Sequence, residues 1–322
     1  MLTNKEKYRE FCKKELNIPI FSKDWWLDAV CVDGKWDVAL AEKGGNIFAS
    51  MPYYMINKDM FKVIGMPSLT QTMGPYIKYP AGQKRYKKTF WEKELMSSLI
   101  EQLPSFDSFK QSFYHEVINW LPFYWKGFYS SVRYTYIIDN LVNEKNIFQT
   151  FSKNKRKNIE KAQRIVEVRS DLSADEFYNY HKMTLAKNGE NILYSYEVFK
   201  NIYNSAYKNG SATNLYSIDK NGNIHSALFI VWDKNSTYAL ISSLDPDFRH
   251  SGSLSLLFYE AIKIASKCSK RFDFEGSMME YAANSYRQFG GTLKPFYQIV
   301  KTNSKLLSVK NMVENRIASL WR

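Results

Sequence analysis

Tyr238-Ala239-Leu240-Ile241-Ser242-Ser243 is an apolar run that opens the stretch deciding the fold. It leads into the turn Asp245-Pro246-Asp247-Phe248-Arg249-His250-Ser251-Gly252. Leu254, Leu257, Phe258, Ala261, Ile262 and Ala265 follow at three- and four-residue spacing, the period of a helix with one buried face. Arg271-Phe272-Asp273-Phe274-Glu275-Gly276-Ser277 alternates like a strand, a second helix runs to Gly290-Gly291, and Pro295 to Val300 closes the unit as a strand. Strand, glycine-containing turn and helix form an arrangement suited to a phosphate, because free backbone N–H groups at a helix start attract anions.

These residues resemble the catalytic half of the GNAT acyltransferase superfamily, and more narrowly its Fem-like branch, whose members carry two GNAT-like domains. The family's pyrophosphate pattern is Gln/Arg-x-x-Gly-x-Gly/Ala. Arg249-His250-Ser251-Gly252-Ser253 matches its first five positions, and Leu254 departs at the sixth. The block from Phe272 to Ser277, continued by Tyr286-Arg287-Gln288-Phe289-Gly290, is similar to the branch's Asp-Phe-Glu-Gly-Ser…Phe-Gly pattern. The likeness is good over residues 150–301, weaker before them and absent from the tail. It implies two tandem GNAT-like α/β domains, each a mixed, mostly antiparallel sheet flanked by helices. The expected divisions are 1–145, a degenerate first domain, 146–302, the catalytic domain, and 303–322, an amphipathic helix.

Working outward, 322 residues with 45% apolar and 16% aromatic content suffice for two packed domains. No apolar run approaches the ~20 residues of a membrane-spanning helix. The charged segment Met1 to Glu15 is unlike a signal peptide. Cys12, Cys31 and Cys268 are few and scattered, which points to a reducing cytoplasm. The net charge of +13 favours anionic partners, whether nucleotides, CoA, tRNA or an acidic membrane face, unless it serves solubility alone.

The first half echoes the second. Phe106-Asp107-Ser108-Phe109 precedes Phe123 to Phe128 and the strand Tyr134–Ile138, as Phe272-Asp273-Phe274 precedes Tyr286 to Gly290 and Phe296–Val300. Duplication is the reading, with chance likeness of two αβ segments its competitor. Lys84-Arg85-Tyr86-Lys87-Lys88 is a surface basic knot before an amphipathic helix at 89–103. A second basic run, 152–164, opens the second half as a helix, and Ser173-Ala174-Asp175-Glu176 is a capping box. The tail helix carries Leu306, Val309, Val313, Ile317 and Leu320 on one face. Packing back on the domain is preferred there to peripheral membrane contact.

Four histidines without paired-ligand spacing argue against a metal site. Asp273 and Glu275, two apart on a strand, are expected on one face with raised pKa values, able to take a proton from an ammonium nucleophile. The bland alternative pairs them with Arg249 or Arg287. Tyr286 matches the position at which many GNAT enzymes keep a tyrosine that protonates the departing thiolate; core packing is the competing role. Arg249, His250, Ser251, Gly252 and Ser253 are the expected cradle for acetyl-CoA or another acyl-CoA. Lys153, Arg156 and Lys157, within one helical turn, are expected to hold the diphosphate of a nucleotide- or lipid-linked anionic acceptor, or else form a solvated face. The resemblance implies N-acyl transfer to an amine such as that of an amino sugar or cell-envelope precursor. Its alternatives are aminoacyl transfer from tRNA and a non-catalytic polyanion-binding module.

Overall fold

The computed structural model describes residues 2–141, 144–276, 278–310 and 312. In chain order the first elements are α1 (Asn4–Lys14), α2 (Asp24–Val30), β1 (Lys35–Lys43), β2 (Asn46–Lys58), β3 (Phe61–Gly65) and β4 (Tyr76–Ile77). α3 (Arg85–Glu101), β5 (Ser108–Ser112), α4 (Leu121–Trp125), β6 (Tyr129–Asp139), α5 (Glu144–Thr150) and α6 (Lys153–Ala162) follow. Then come β7 (Glu167–Arg169), α7 (Ala174–Lys187), α8 (Tyr196–Lys208), β8 (Ala212–Ile218), β9 (Ile224–Trp232) and β10 (Ser236–Leu244). α9 (Ser253–Cys268), β11 (Arg271–Asp273), α10 (Glu280–Tyr286) and β12 (Thr292–Thr302) come next. The result is a mixed α/β protein with mostly antiparallel sheets flanked by helices.

The chain divides into two compact units, residues 1–133 with 296–322, and residues 134–295. In the first unit the strand order is β1-β2-β3-β5-β12, with β4 on β2; β3 and β5 are parallel and the other pairs antiparallel. In the second it is β6-β11-β10-β9-β8-β7, with β10 and β11 the one parallel pair among the described residues. Each unit therefore repeats one plan: a three-strand meander, a long helix, a strand parallel to the meander's last, and a short helix. The closing strands are exchanged, since β12 pairs with β5 and β6 with β11. That exchange moves the divisions to 133 and 295 from the expected 145 and 302. Asp107 precedes β5 whereas Asp273 ends β11, so the two sequence blocks are offset although the element order repeats.

Local chemistry explains the second unit's elements. Ser173 and Glu176 form the capping box of α7, with Glu176 N donating to Ser173 Oγ (3.2 Å) and Ser173 N to Glu176 Oε2 (2.8 Å). β9 is buried on both faces between β8 and β10, with Ala227 to Val231 a continuous apolar run. α9 buries Leu257, Phe258, Ala261, Ile262 and Ala265 as its period requires. Phe258, Phe272, Phe274 and Phe289 gather beneath it with ring centroids 5.0–6.5 Å apart. In the first unit Phe109, Phe113, Phe123 and Phe128 form the comparable cluster, joined by Ile299 of β12. Residues 305–310 are helical, with Leu306 and Val309 exposed; Val313, Ile317 and Leu320 lie outside the described residues.

Candidate active site

β10 and β11 are hydrogen-bonded neighbours only at Ser236–Arg271, Thr237–Phe272 and Tyr238–Asp273. Beyond Tyr238 β10 runs on to Leu244 while the chain leaves the sheet, and a wedge opens between them. A register shift between Ala239 and Ile241, in the ladder with β9, adds local twist to β10. What ends β11 is Asp273 itself. Its Oδ1 accepts Glu275 N (2.8 Å) and the hydroxyl of Thr135. Glu275 is thereby folded into the left-handed region at φ +62°, followed by Gly276 at φ +55°. A left-handed residue with a Cβ costs about 1–2 kcal/mol and marks functional sites more often than chance. This corrects the sequence reading of Asp273 and Glu275 as one strand face: only Asp273 is in the strand. Ser277 lies outside the described residues.

Burial raises the Asp273 carboxyl to about 6, against the opposing pull of its Thr135 and Glu275 N–H bonds. Burial, and then the charge of Asp273, raise Glu275 well above the ordinary carboxylate value. Glu275 Oε1 is buried without a hydrogen-bond partner, and no salt bridge with Arg249 or Arg287 is present among the described residues. Tyr286 stacks on Phe274 (4.9 Å, 25°), and its hydroxyl is partnered by Ser242. Burial, with the Glu275 charge second, pushes its phenol up to about 12, so it is a neutral proton donor at pH 7. The next residue along β10, Ser243, points to the opposite face and holds His181 Nδ1 at 2.6 Å.

At the start of α9 lies a cavity of about 430 Å³. Arg249, His250, Gly252 and Ser253 all line it. Ser251 does not; it is buried, and its Oγ accepts Ser253 N (3.1 Å). Gly252 (φ +78°) is required twice over, because a Cβ there would also lie 2.3 Å from the carbonyl oxygen of Asn158 on α6. Leu254 lines the cavity while packing against the core.

α6 supplies the residues that sequence reasoning missed. Lys155, Asn158 and Lys161 line the cavity; Lys153, Arg156 and Lys157 do not. The helix buries positions 155, 159 and 162, which turns Lys153 and Lys157 to solvent and leaves Arg156 bonded to Gln149 (2.8 Å). The apolar anchors Ile159 and Ala162 were the available signal, since Lys155 shares their face at i, i+4 and i+7. Lys155 is only 9% exposed. Its ammonium donates to Ser285 Oγ (2.8 Å), lies 3.4 Å from Ser255 Oγ, and sits 4.6 Å over the Phe289 ring. Burial lowers it to about 8, and it has no carboxylate partner among the described residues. Lys161 donates to the carbonyl of His250 (2.7 Å), tying α6 to the turn. Three cationic side chains, a histidine and a helix start thus share a cavity whose lining holds no carboxylate. Phe258 and Ser285 form its inner wall; Phe258 also meets the Tyr286 ring at 5.8 Å, which connects the cavity to the Glu275 cluster.

A family model described as an acetyltransferase (GNAT) domain matches residues 149–282. Over those residues the chain is similar to a GNAT-superfamily domain. Its fold is that of the Fem-like tandem proteins: the crystal structure of FemX superposes with a TM-score of 0.67 at 11% identity, covering 92% of this chain and 96% of that one. L-PGS from Bacillus licheniformis gives 0.53 at 12% identity over 96% and 95% of the two chains. A tandem GNAT protein from the clavulanic acid biosynthesis pathway gives 0.52 at 7% identity over 92% and 93%. No sequence among curated proteins matches.

Proposed function

We propose that the GNAT domain transfers an acyl group from an acyl-CoA to the amine of an anionic acceptor, by direct attack within a ternary complex. The observation that carries this reading is the carboxylate-free cationic cavity at the start of α9, one aromatic ring away from the Tyr286–Glu275 cluster. The donor's diphosphate is held by the backbone at Gly252–Ser253 and by Lys155, Lys161 and Arg249. Its acyl end then lies along the wedge, where β10 N–H groups freed from the β11 ladder polarise the carbonyl. The amine nitrogen forms the new C–N bond, Glu275 takes the proton the nitrogen loses, and Tyr286 gives its proton to the departing sulfur as the C–S bond breaks.

Glu275 acts as a base only when ionised. Because its pKa is raised, kcat/KM increases with pH along a limb above the ordinary carboxylate range. Glu275→Gln is expected to lower kcat by about 10²–10⁴-fold and to abolish that limb with donor affinity retained. A Gln variant that keeps both the limb and the rate would exclude Glu275 as the base. A second reading, aminoacyl transfer from tRNA, draws on the likeness to FemX and on the +13 charge.

A further inference from the structure

Remote from these residues along the chain, the first unit carries a surface the reaction does not use. Positions 84–90 are exposed without interruption, so the opening turns of α3 bury no face of their own. Tyr86, Phe90 and Lys93 fall at i, i+4 and i+7 on one side of that helix. Opposite them α4 presents Leu121, Pro122 and Trp125, and together these residues line an apolar groove of about 280 Å³. Tyr86 is 68% exposed, Phe90 66% and Trp125 56%, and Ile118 beside α4 is 74% exposed. Large side chains clustered in this way mark an interaction surface.

The groove is framed by cations. Residues 84–93 contain Lys84, Arg85, Lys87, Lys88 and Lys93 against one acid, Glu92, which is engaged by Tyr79 and Asn119. None of the five makes a salt bridge among the described residues. Lys88 lies 5.4 Å over Tyr79, and Lys93 5.5 Å over Trp125. In both contacts the ammonium itself lies over the ring, and neither lysine has a carboxylate partner among the described residues, so each keeps donors for an anion.

We propose that this face of α3 and α4 docks on an anionic phospholipid surface, with Phe90, Trp125 and Leu121 entering the headgroup region and the lysines meeting lipid phosphates. The charge complementarity is direct, and aromatic rings beside Lys and Arg are the composition of an interfacial anchor. Single-stranded nucleic acid is the poorer fit. It needs open ring faces for stacking, yet the Trp125 face lies under Lys93, and Leu121 and Ile118 offer no ring. No described helix is long and apolar enough to cross a membrane, so the contact is peripheral.

Flotation of the full chain with phosphatidylcholine vesicles, with and without phosphatidylglycerol, tests this. The protein is expected to float with the anionic vesicles only, and to be released by high salt. Lys87→Gln with Lys88→Gln should lower partitioning by about 30-fold, and Phe90→Ser with Trp125→Ser by at least tenfold. The exposed positions leave thermal unfolding unchanged, and that is checked in parallel. Retention of full binding by both double variants would overturn the proposal. So would absence of binding to anionic vesicles, or preference for a single-stranded RNA oligonucleotide at equal phosphate concentration.

Discussion

Asp273 and Glu275 are two residues apart and do different work. Asp273 accepts the Glu275 N–H and the Thr135 hydroxyl, so it is a positioning residue that builds the turn Glu275 occupies. Its charge is also the second cause of the raised Glu275 pKa. These two contributions separate by substitution. Asp273→Asn keeps an acceptor oxygen and removes the charge, so the ascending limb of kcat/KM should move to lower pH with kcat within about tenfold of wild type. Asp273→Ala removes the acceptor as well. Loss of the buried hydrogen bonds costs about 1–3 kcal/mol, and kcat should fall at every pH. A limb that stays put in the Asn variant would show that the Asp273 charge does not reach Glu275. The strand pattern predicted a shared face because the sequence alternates; what it cannot express is a side chain that captures the main-chain N–H of the second residue on and ends the strand.

At the scale of elements, α6 and α9 meet at Gly252. A methyl at 252 would strike the Asn158 carbonyl oxygen at 2.3 Å and hold a left-handed backbone. Overpacking and the left-handed penalty together amount to about 2–5 kcal/mol. Gly252→Ala should therefore lower the melting temperature by several degrees and raise the donor KM, because Lys155 and Lys161 move with α6. A variant with unchanged Tm and KM would show that the two helices are not held together at this point. The turn and stripe of α9, the capping box of α7 and the hairpins were legible because each is a local pattern. The basic run of α6 was legible as a helix, and charge density drew attention to Lys153, Arg156 and Lys157 for an acceptor's diphosphate; Lys155, on the buried phase, was passed over. A lysine on an apolar face reads as an error in the pattern until the cavity above it is seen.

Across the whole molecule, the exchange of β6 and β12 explains why the duplication was easier to recognise than its boundaries. A closing strand that pairs in the other copy's sheet leaves element order intact and shifts the divisions. The +13 charge is likewise a property of the whole chain, and two of its surfaces gather basic side chains. One is the α9 cavity, where cations converge on a helix start. The other is the α3–α4 face, where they surround exposed rings. The first is the proposed seat of the acyl-CoA diphosphate. Calorimetric titration of acetyl-CoA into the full chain and into its Lys155→Met variant, with an aminoacyl-tRNA titrated in parallel, tests it most directly. We predict saturable acetyl-CoA binding to the wild type, weakened at least tenfold in the variant, whose melting temperature is retained because a buried cation has been replaced by an apolar side chain of similar length. Absence of acetyl-CoA binding, or equal affinity in the two proteins, would contradict it.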